Sequence, residues 1–317
     1  MKAHDLYQDV IYHEAQEGGV EYESLYPLEL EQLSQPYSNL QKRLTELTDK
    51  LARINLVLDM TLSNDMATER QRMALEAARA PHAWLWLLAL PSGHLHNIKA
   101  CEFEVMLAVR LGYEVEHLQI KQGQANCQCN SALTVDHGMG CASMQGSVVY
   151  QRHNRLAAIF CQALAGGESS QIKVEPRGQF AGYGQGSPDF VYRNARNKLV
   201  FTDVSVIAAR GSANRQHLMT KSLVLAKARE KQKRSENDDR AKRNSADFIP
   251  LVFEARGGFG DAAVKFLKAA GKANRTYDRS IQPWEYNSHF QYYMKAISVA
   301  LIRGSAQNLL LALQRSH

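Results

Sequence analysis

Three short apolar runs lie close together between residues 171 and 210: Q-I-K-V-E-P, then S-P-D-F-V-Y-R after a glycine-rich break, then K-L-V-F-T-D-V-S-V-I after a polar turn. Runs of this length, bounded by turn residues, predict a strand meander. Elsewhere the period is helical. Leu40, Leu44, Leu47, Leu51, Ile54 and Leu58 recur at alternating four- and three-residue steps behind Ser38, a suitable N-cap. That a/d seam reads either as a helix packing on its own domain or as a coiled coil that dimerises through residues 40–58. Helices are predicted over 66–80, stopped by Pro81, over 99–111, capped by Gly112, and over 154–165. A long basic helix is predicted over 213–236, ended by Asn237, Asp238 and Asp239. A buried strand follows at 248–255, broken by Gly257 and Gly258, then a helix at 261–270 and a helix pair from Pro283 onward. Trp84 and Trp86, in A-W-L-W-L-L-A-L-P, read as a buried anchor.

Each run of the meander carries one carboxylate: Glu175, Asp189 and Asp203. A carboxylate inside an apolar strand is costly to bury unless a metal or a cation meets it. Asp189 and Asp203, on neighbouring strands with thirteen residues between them, can converge on one divalent ion. Asp189 after Pro188 also suits a plain turn start.

A second constellation lies upstream. Cys127, Cys129, His137 and Cys141 fall within fifteen residues. Three thiolates and one imidazole suit tetrahedral zinc. His153, in Y-Q-R-H-N, can replace His137 as the fourth ligand. A module this small cannot bury a core of its own, so the metal must supply its folding energy.

Composition narrows the class. The 317-residue chain has room for two domains, and its net charge of +6 favours a polyanionic partner. Five cysteines and an N-terminus without an apolar h-region argue against a secreted disulfide framework. The apolar run 83–90 is too short to span a bilayer. A soluble protein of a reducing compartment is the expectation, with no membrane partner. The 213–243 segment is loaded with cations: Arg215, Lys221, Lys227, Arg229, Lys231, Lys233, Arg234, Arg240, Lys242 and Arg243. Such a run is either a solvated helix face or a phosphate-contacting surface.

Pro188-Asp189, thirteen residues, then Asp203-Val204-Ser205 resembles the PD-(D/E)XK nuclease pattern. With the upstream cysteine–histidine cluster it is similar, more narrowly, to the restriction-endonuclease-like domain at the C-terminal end of some non-LTR retrotransposon polyproteins. A-W-L-W-L-L-A-L-P, F-E-V-M-L-A-V-R-L-G and Arg152-His153-Asn154 extend the resemblance from about residue 83 to about residue 270. It favours Cys127, Cys129, His137 and Cys141 as the zinc set and makes His153 a structural residue opening a helix. It implies an α/β fold with a restriction-endonuclease-like core of helix, three strands, helix and strand. The expected parts are a helical extension over 1–80, a Trp/Leu-rich helical region over 81–122, a zinc module over 123–154 and the nuclease domain over 155–317.

The activity so implied is Mg(II)- or Mn(II)-dependent nicking of DNA. Asp189 and Asp203 would be metal ligands, and Glu175 a third carboxylate. The family's lysine, two residues after the second carboxylate, is Ser205 here, and a cation expected before the Pro-Asp pair is Ser187. The implied substitute is a lysine from the following helix: Lys221, Lys227 or Lys231. Arg152, Arg215, Lys227, Arg229, Lys231, Lys233 and Arg234 are the expected contacts to duplex DNA, with RNA as an alternative ligand. The implied location is the nucleus in a eukaryote and otherwise the cell interior. The chain has no F/Y-x-D-D polymerase motif, so it reads as a fragment or derivative of such an element. The competing expectation is a catalytically inert, zinc-containing nucleic-acid-binding protein on the same fold.

Overall fold

A computed structural model describes residues 69–89, 94–112, 127, 129–141, 148–165, 172–180, 187–209, 212–273 and 288–315. The chain divides into two compact units: Met1–Ala67 with Tyr277–Ser288, and Thr68–Thr276 with His289–His317. All described residues except Ser288 belong to the second unit. The heptad seam at 40–58 lies outside the described residues.

The second unit is mixed α/β. Its helices are α1 (Glu69–Arg79), α2 (Ala100–Leu111), α3 (Val135–Gly140), α4 (Val148–Ala165), α5 (Ser212–Thr220), α6 (Val224–Arg243), α7 (Asp261–Ala273) and α8 (His289–Gln314). A four-residue 3₁₀ turn, Leu85–Leu88, precedes α2. The strands are β1 (Lys173–Val174), β2 (Phe190–Arg193), β3 (Leu199–Ile207) and β4 (Ala246–Glu254).

The strands form one sheet in the order β1-β2-β3-β4. The first two pairings are antiparallel and the last is parallel. A tight turn over 194–198 joins β2 to β3, but a parallel neighbour needs a crossover, and α5 and α6 supply it. The apolar β3 sequence follows from its place: it pairs with β2 on one side and with β4 on the other. Alternation then assigns the faces. Phe201 and Phe248 pack with Ala241 of α6, and Val252 packs with Ala226 of α6. Phe253 points the other way, to Phe160 of α4, whose ring also meets Phe190 and Phe266. α6 therefore covers one face, and α4 with α7 covers the other.

The basic segment differs from the single helix predicted over 213–236. It breaks between α5 and α6, where Leu223 takes a left-handed conformation (φ 61°). That turn buries Leu223 against Ala80, Ala83 and Val252. Buried Glu254 accepts from the N–H of Ala226 at 3.1 Å and so caps the new helix start. α6 then runs through Asn237–Asp239 to Arg243. Asn237 does not stop it, because its side chain is buried and donates back to the Lys233 carbonyl at 3.0 Å. At the other end, one 26-residue helix, α8, stands where a helix pair was expected from Pro283. Among the described residues it alone is long and apolar enough to cross a membrane, yet 72% of its apolar window is buried within the protein. Of the tryptophan pair, Trp86 is buried, whereas Trp84 is 44% exposed.

The short helix α3 is held to this frame by buried charge. Arg256, just past β4, grips Asp136 with two bonds, Nε to Oδ1 at 2.9 Å and Nη2 to Oδ2 at 3.0 Å. Both side chains are 6% exposed. Breaking one partner of such a pair strands a charge in the interior, which costs about 3–5 kcal/mol. We expect Asp136→Ala to lose about that much in denaturant unfolding, and Asp136→Leu combined with Arg256→Met to recover most of it. A double variant no more stable than the single one would show that the pair does not act as a unit.

Candidate functional site

Two sites are built on this frame. The first is the cysteine–histidine cluster. Its leading turn is tight: Asn130 is left-handed (φ 61°) and donates to the Cys127 carbonyl at 2.7 Å. The Cys127 N–H donates to the Ser131 carbonyl at 3.0 Å. The turn brings Cys129 back beside Cys127. Thr134 then N-caps α3 through the N–H of His137 at 3.1 Å, which sets the imidazole on the first turn.

The four ligand atoms lie within 4.8 Å of one another. Cys127 Sγ is 3.5 Å from Cys141 Sγ, Cys141 Sγ is 3.8 Å from Cys129 Sγ, and Cys129 Sγ is 3.2 Å from His137 Nε2. Zinc–sulfur bonds of about 2.3 Å at tetrahedral angles set sulfur–sulfur edges of about 3.8 Å. The spacing therefore fits a metal ion such as zinc. The Cys129 thiol is brought down to about 6, first by hydrogen bonds from the Ser131 side chain and backbone and then by Cys127 and Cys141, against a smaller effect of burial. A thiolate is the form a metal takes. Between the two histidines left open by the sequence, His137 joins the cluster and His153 does not.

The second site lies where β2 and β3 meet. Phe190 pairs with Thr202. Asp189 directly precedes β2, and its N–H donates to the Thr202 carbonyl at 2.9 Å. This sets it at the end of the β2–β3 ladder, near enough to Asp203 for the two charges to interact. Asp189 accepts from the Val204 N–H, which lies beyond the last residue paired with β2. The same Oδ2 is 3.0 Å from Nε2 of His153, on α4. Lys233 Nζ, from α6, lies 3.0 Å from both oxygens of Asp203. It hydrogen-bonds Oδ1, and Oδ2 is buried with no hydrogen bond of its own. Ser205, two residues along the same face, meets Arg229 Nε at 3.4 Å. Arg229 and Lys233 are one helical turn apart, so one stripe of α6 brings two cations over this face.

Burial raises the Asp203 carboxyl above the usual range, and the charge of Asp189 adds to this, against Lys233 and His153. For His153, burial opposes protonation, but the hydrogen bond and charge of Asp189, then Asn154 and Asp203, outweigh it. The imidazole is raised from 6.5 to about 9.

The other residues singled out from the sequence fall as follows. Glu175 is not within a strand. It follows β1 in a left-handed conformation (φ 42°) and pairs with exposed Arg177 at 3.1 Å. Lys221 precedes α6, and Lys227 and Lys231 are exposed on other faces of it. The helix lysine at Asp203 is Lys233, which the sequence reading placed among the DNA contacts. Arg234 donates to the Phe248 carbonyl at 3.2 Å. Arg215 is half-buried on α5. Arg152 requires a correction. It is 2% exposed, so it presents no surface to a phosphate. Its Nη1 donates to the Met139 carbonyl of α3 at 2.9 Å and to Ser305 Oγ of α8 at 3.0 Å. Glu254 and Glu230 were not singled out. Glu254 caps α6, and Glu230 caps α7 by accepting from the Ala262 N–H at 3.1 Å. Gly260 is fixed by that cap, since a Cβ there would fall against Glu230 Oε1.

Among the described residues, the cysteine–histidine cluster is the one group of such ligands that closes to metal-binding distance. No protein-family model matches this sequence, and no curated protein is significantly similar to it.

Two outcomes follow from this geometry. Protein purified without chelators should carry about one equivalent of zinc, and Cys141→Ser should lower that content at least tenfold. Metal analysis with no zinc in the parent protein would contradict the assignment. The raised value of His153 gives a stability increment that is complete below its ordinary value of 6.5 and lost as the pH passes about 9. Without added divalent metal, the stability difference between parent and His153→Gln should therefore be constant in mild acid and vanish above that pH. A difference that grows with pH would contradict it.

Proposed function

We propose that this chain carries a metal-dependent DNA endonuclease domain of the PD-(D/E)XK type, with zinc in the Cys127, Cys129, His137 and Cys141 cluster. The observation that carries the reading is the closeness of Asp189, just before β2, to Asp203 on β3, with Lys233 at Asp203. The order helix, three strands, helix, strand (α4, β1–β3, α6, β4) supports it as well. So does the way α6 answers the missing motif lysine: Ser205 stands at that place, and Arg229 and Lys233 reach the same face from the helix.

In this reading Asp189 and Asp203 hold Mg(II) or Mn(II), which lowers the pKa of bound water and neutralises charge on the scissile phosphate. Asp203 Oδ2 is buried and lies 3.0 Å from Lys233 Nζ, so a divalent ion there would share the carboxylate with that ammonium. Lys233 steadies the negative charge that builds on the phosphate oxygens. Water oxygen bonds to phosphorus, the phosphorus–O3′ bond breaks, and the departing oxygen takes a proton. The products are a 5′ phosphate and a 3′ hydroxyl, the end that primes reverse transcription in the retrotransposons this sequence resembles. Derivation from such an element, and work in the nucleus of a eukaryotic host, belong to the same reading. Exposed Lys227, Lys231, Lys242 and Arg243 contact the DNA backbone, giving salt-sensitive affinity.

One observation favours a second reading, an inert nucleic-acid-binding fold. Both carboxylates are already met by cations of the chain, His153 and Lys233, as a structural ion-pair network would be. Nicking of supercoiled plasmid separates the two readings. On the nuclease reading, Asp189→Asn and Asp203→Asn each abolish nicking and leave DNA affinity intact. Lys233→Met costs about 10²–10³ in rate, whereas Lys231→Met changes only binding and its salt slope. A parent protein inactive with both Mg(II) and Mn(II) across several DNA forms would establish the inert reading.

A further inference from the structure

The two sites are joined by a pair of consecutive residues. Arg152 and His153 are neighbours on α4, and successive helix residues point about 100° apart. They therefore engage different parts of the protein. Arg152 turns inward to the zinc-cluster helix. Its acceptor there, the carbonyl of Met139, lies between two ligands of the cluster, His137 and Cys141. The same carbonyl accepts from Asn308 of α8 at 3.2 Å. The stem of Arg152 is clamped on Gly304, where a Cβ would lie 2.5 Å from Arg152 Cγ and 2.6 Å from its Cβ. The neighbouring His153 turns to Asp189 and fixes its carboxylate from one side, while the Val204 N–H fixes it from the strand side. Asn154 Oδ1 accepts from His153 Nδ1 at 3.1 Å and sets the ring orientation.

We propose that Arg152 is a positioning residue that makes the geometry of Asp189 depend on the order of the zinc cluster. A buried guanidinium cannot give up its acceptors cheaply. When metal fixes Cys141 and His137, the Met139 carbonyl is fixed with them. Arg152 then locks the first half of α4, and with it the reach of His153 to Asp189. When the metal is lost, Asp136 keeps its bonds to Arg256, but the stretch from His137 to Cys141 loses the metal's hold. Met139 moves, and the His153–Asp189 bond loosens although the sheet itself remains. The zinc cluster thereby acts as a distant support for the acidic site. Partners behind a metal ligand commonly govern affinity in this way. The consequence for catalysis rests on the nuclease reading, but the link between cluster and His153 does not.

The test uses the full chain labelled uniformly with ¹⁵N, at one fixed pH. The hydrogen-bonded Nε2–H of His153 is identified by its loss in His153→Gln. Zinc removal by a chelator should abolish that signal while the amide signals of β3 and β4 persist. Arg152→Met should abolish it with zinc still bound, and Arg152→Lys should restore it in part. Ser305→Ala, a milder change that spares the Met139 bond, should leave it in place, and chelation should then remove it. This second variant keeps the test decisive if Arg152→Met does not fold. Mn(II) affinity, read from the electron paramagnetic resonance of free Mn(II), should fall about tenfold or more in Arg152→Met. A His153 signal that survives both chelation and Arg152→Met overturns the inference. So does measurable Mn(II) binding with equal affinity in parent and Arg152→Met. A parent that binds no Mn(II), but loses the His153 signal on chelation, overturns the nuclease reading and leaves the link standing.

Discussion

A guanidinium buried at the junction of three helices is the constraint on which this structure turns. Arg152 is 2% exposed and carries a charge that the interior tolerates only with acceptors in place. Burial pulls its value down to about 10, which still leaves it charged at neutral pH. Its acceptors are one carbonyl of α3 and one hydroxyl of α8. α4 is therefore fixed at once to the metal-ligand helix and to the long core helix. Arg256–Asp136 repeats the device from the end of β4, and Arg303 and Gln307 repeat it at Glu102. The helices around the sheet are thus held by a few buried polar bonds as well as by apolar packing. Each bond requires its partner to be present.

The acidic pair depends on the same framework. Asp189 and Asp203 are brought near one another at the end of the β2–β3 ladder, where burial and their mutual repulsion both disfavour the charged form of Asp203. The charges that meet them come from the helices on the two sides, His153 from α4 and Lys233 from α6. On the proposed nuclease reading, the two carboxylates would hold a divalent ion and the cations from both faces would meet the approaching phosphate.

Much of this was legible in the sequence, and the reasons are specific. The cysteine–histidine set was readable because its ligands lie within fifteen residues, so local chain geometry alone brings them together. The helix ending at Gly112 was readable because Gly112 takes the left-handed cap (φ 71°) that the pattern requires. Asp203 inside a strand was readable from the apolar run around it. Three features were hidden because they depend on partners distant in sequence. Arg152 looks like a surface cation until Met139 and Ser305 are placed beside it. Lys233 looks like one more cation of a basic helix. Only the phase of α6 over β3 sets it apart from Lys231, and Asn237, buried one turn on, reads in the sequence as a helix end. The break at Leu223 was hidden because Leu223 is a good helix former, and the left-handed turn is imposed by its burial against Ala83 and Val252.

On the proposed reading, Asp189 and Asp203 together form a divalent-metal site beside Lys233. Anomalous diffraction at the manganese edge, from crystals grown with Mn(II) and a short DNA duplex, tests it directly. The account predicts a manganese peak bonded to oxygens of both Asp189 and Asp203, at about 2.2 Å, with a phosphate oxygen in reach of Lys233. Crystals in which DNA is bound, the His153–Asp189 and Lys233–Asp203 pairs are unchanged and no manganese lies between the carboxylates would contradict it.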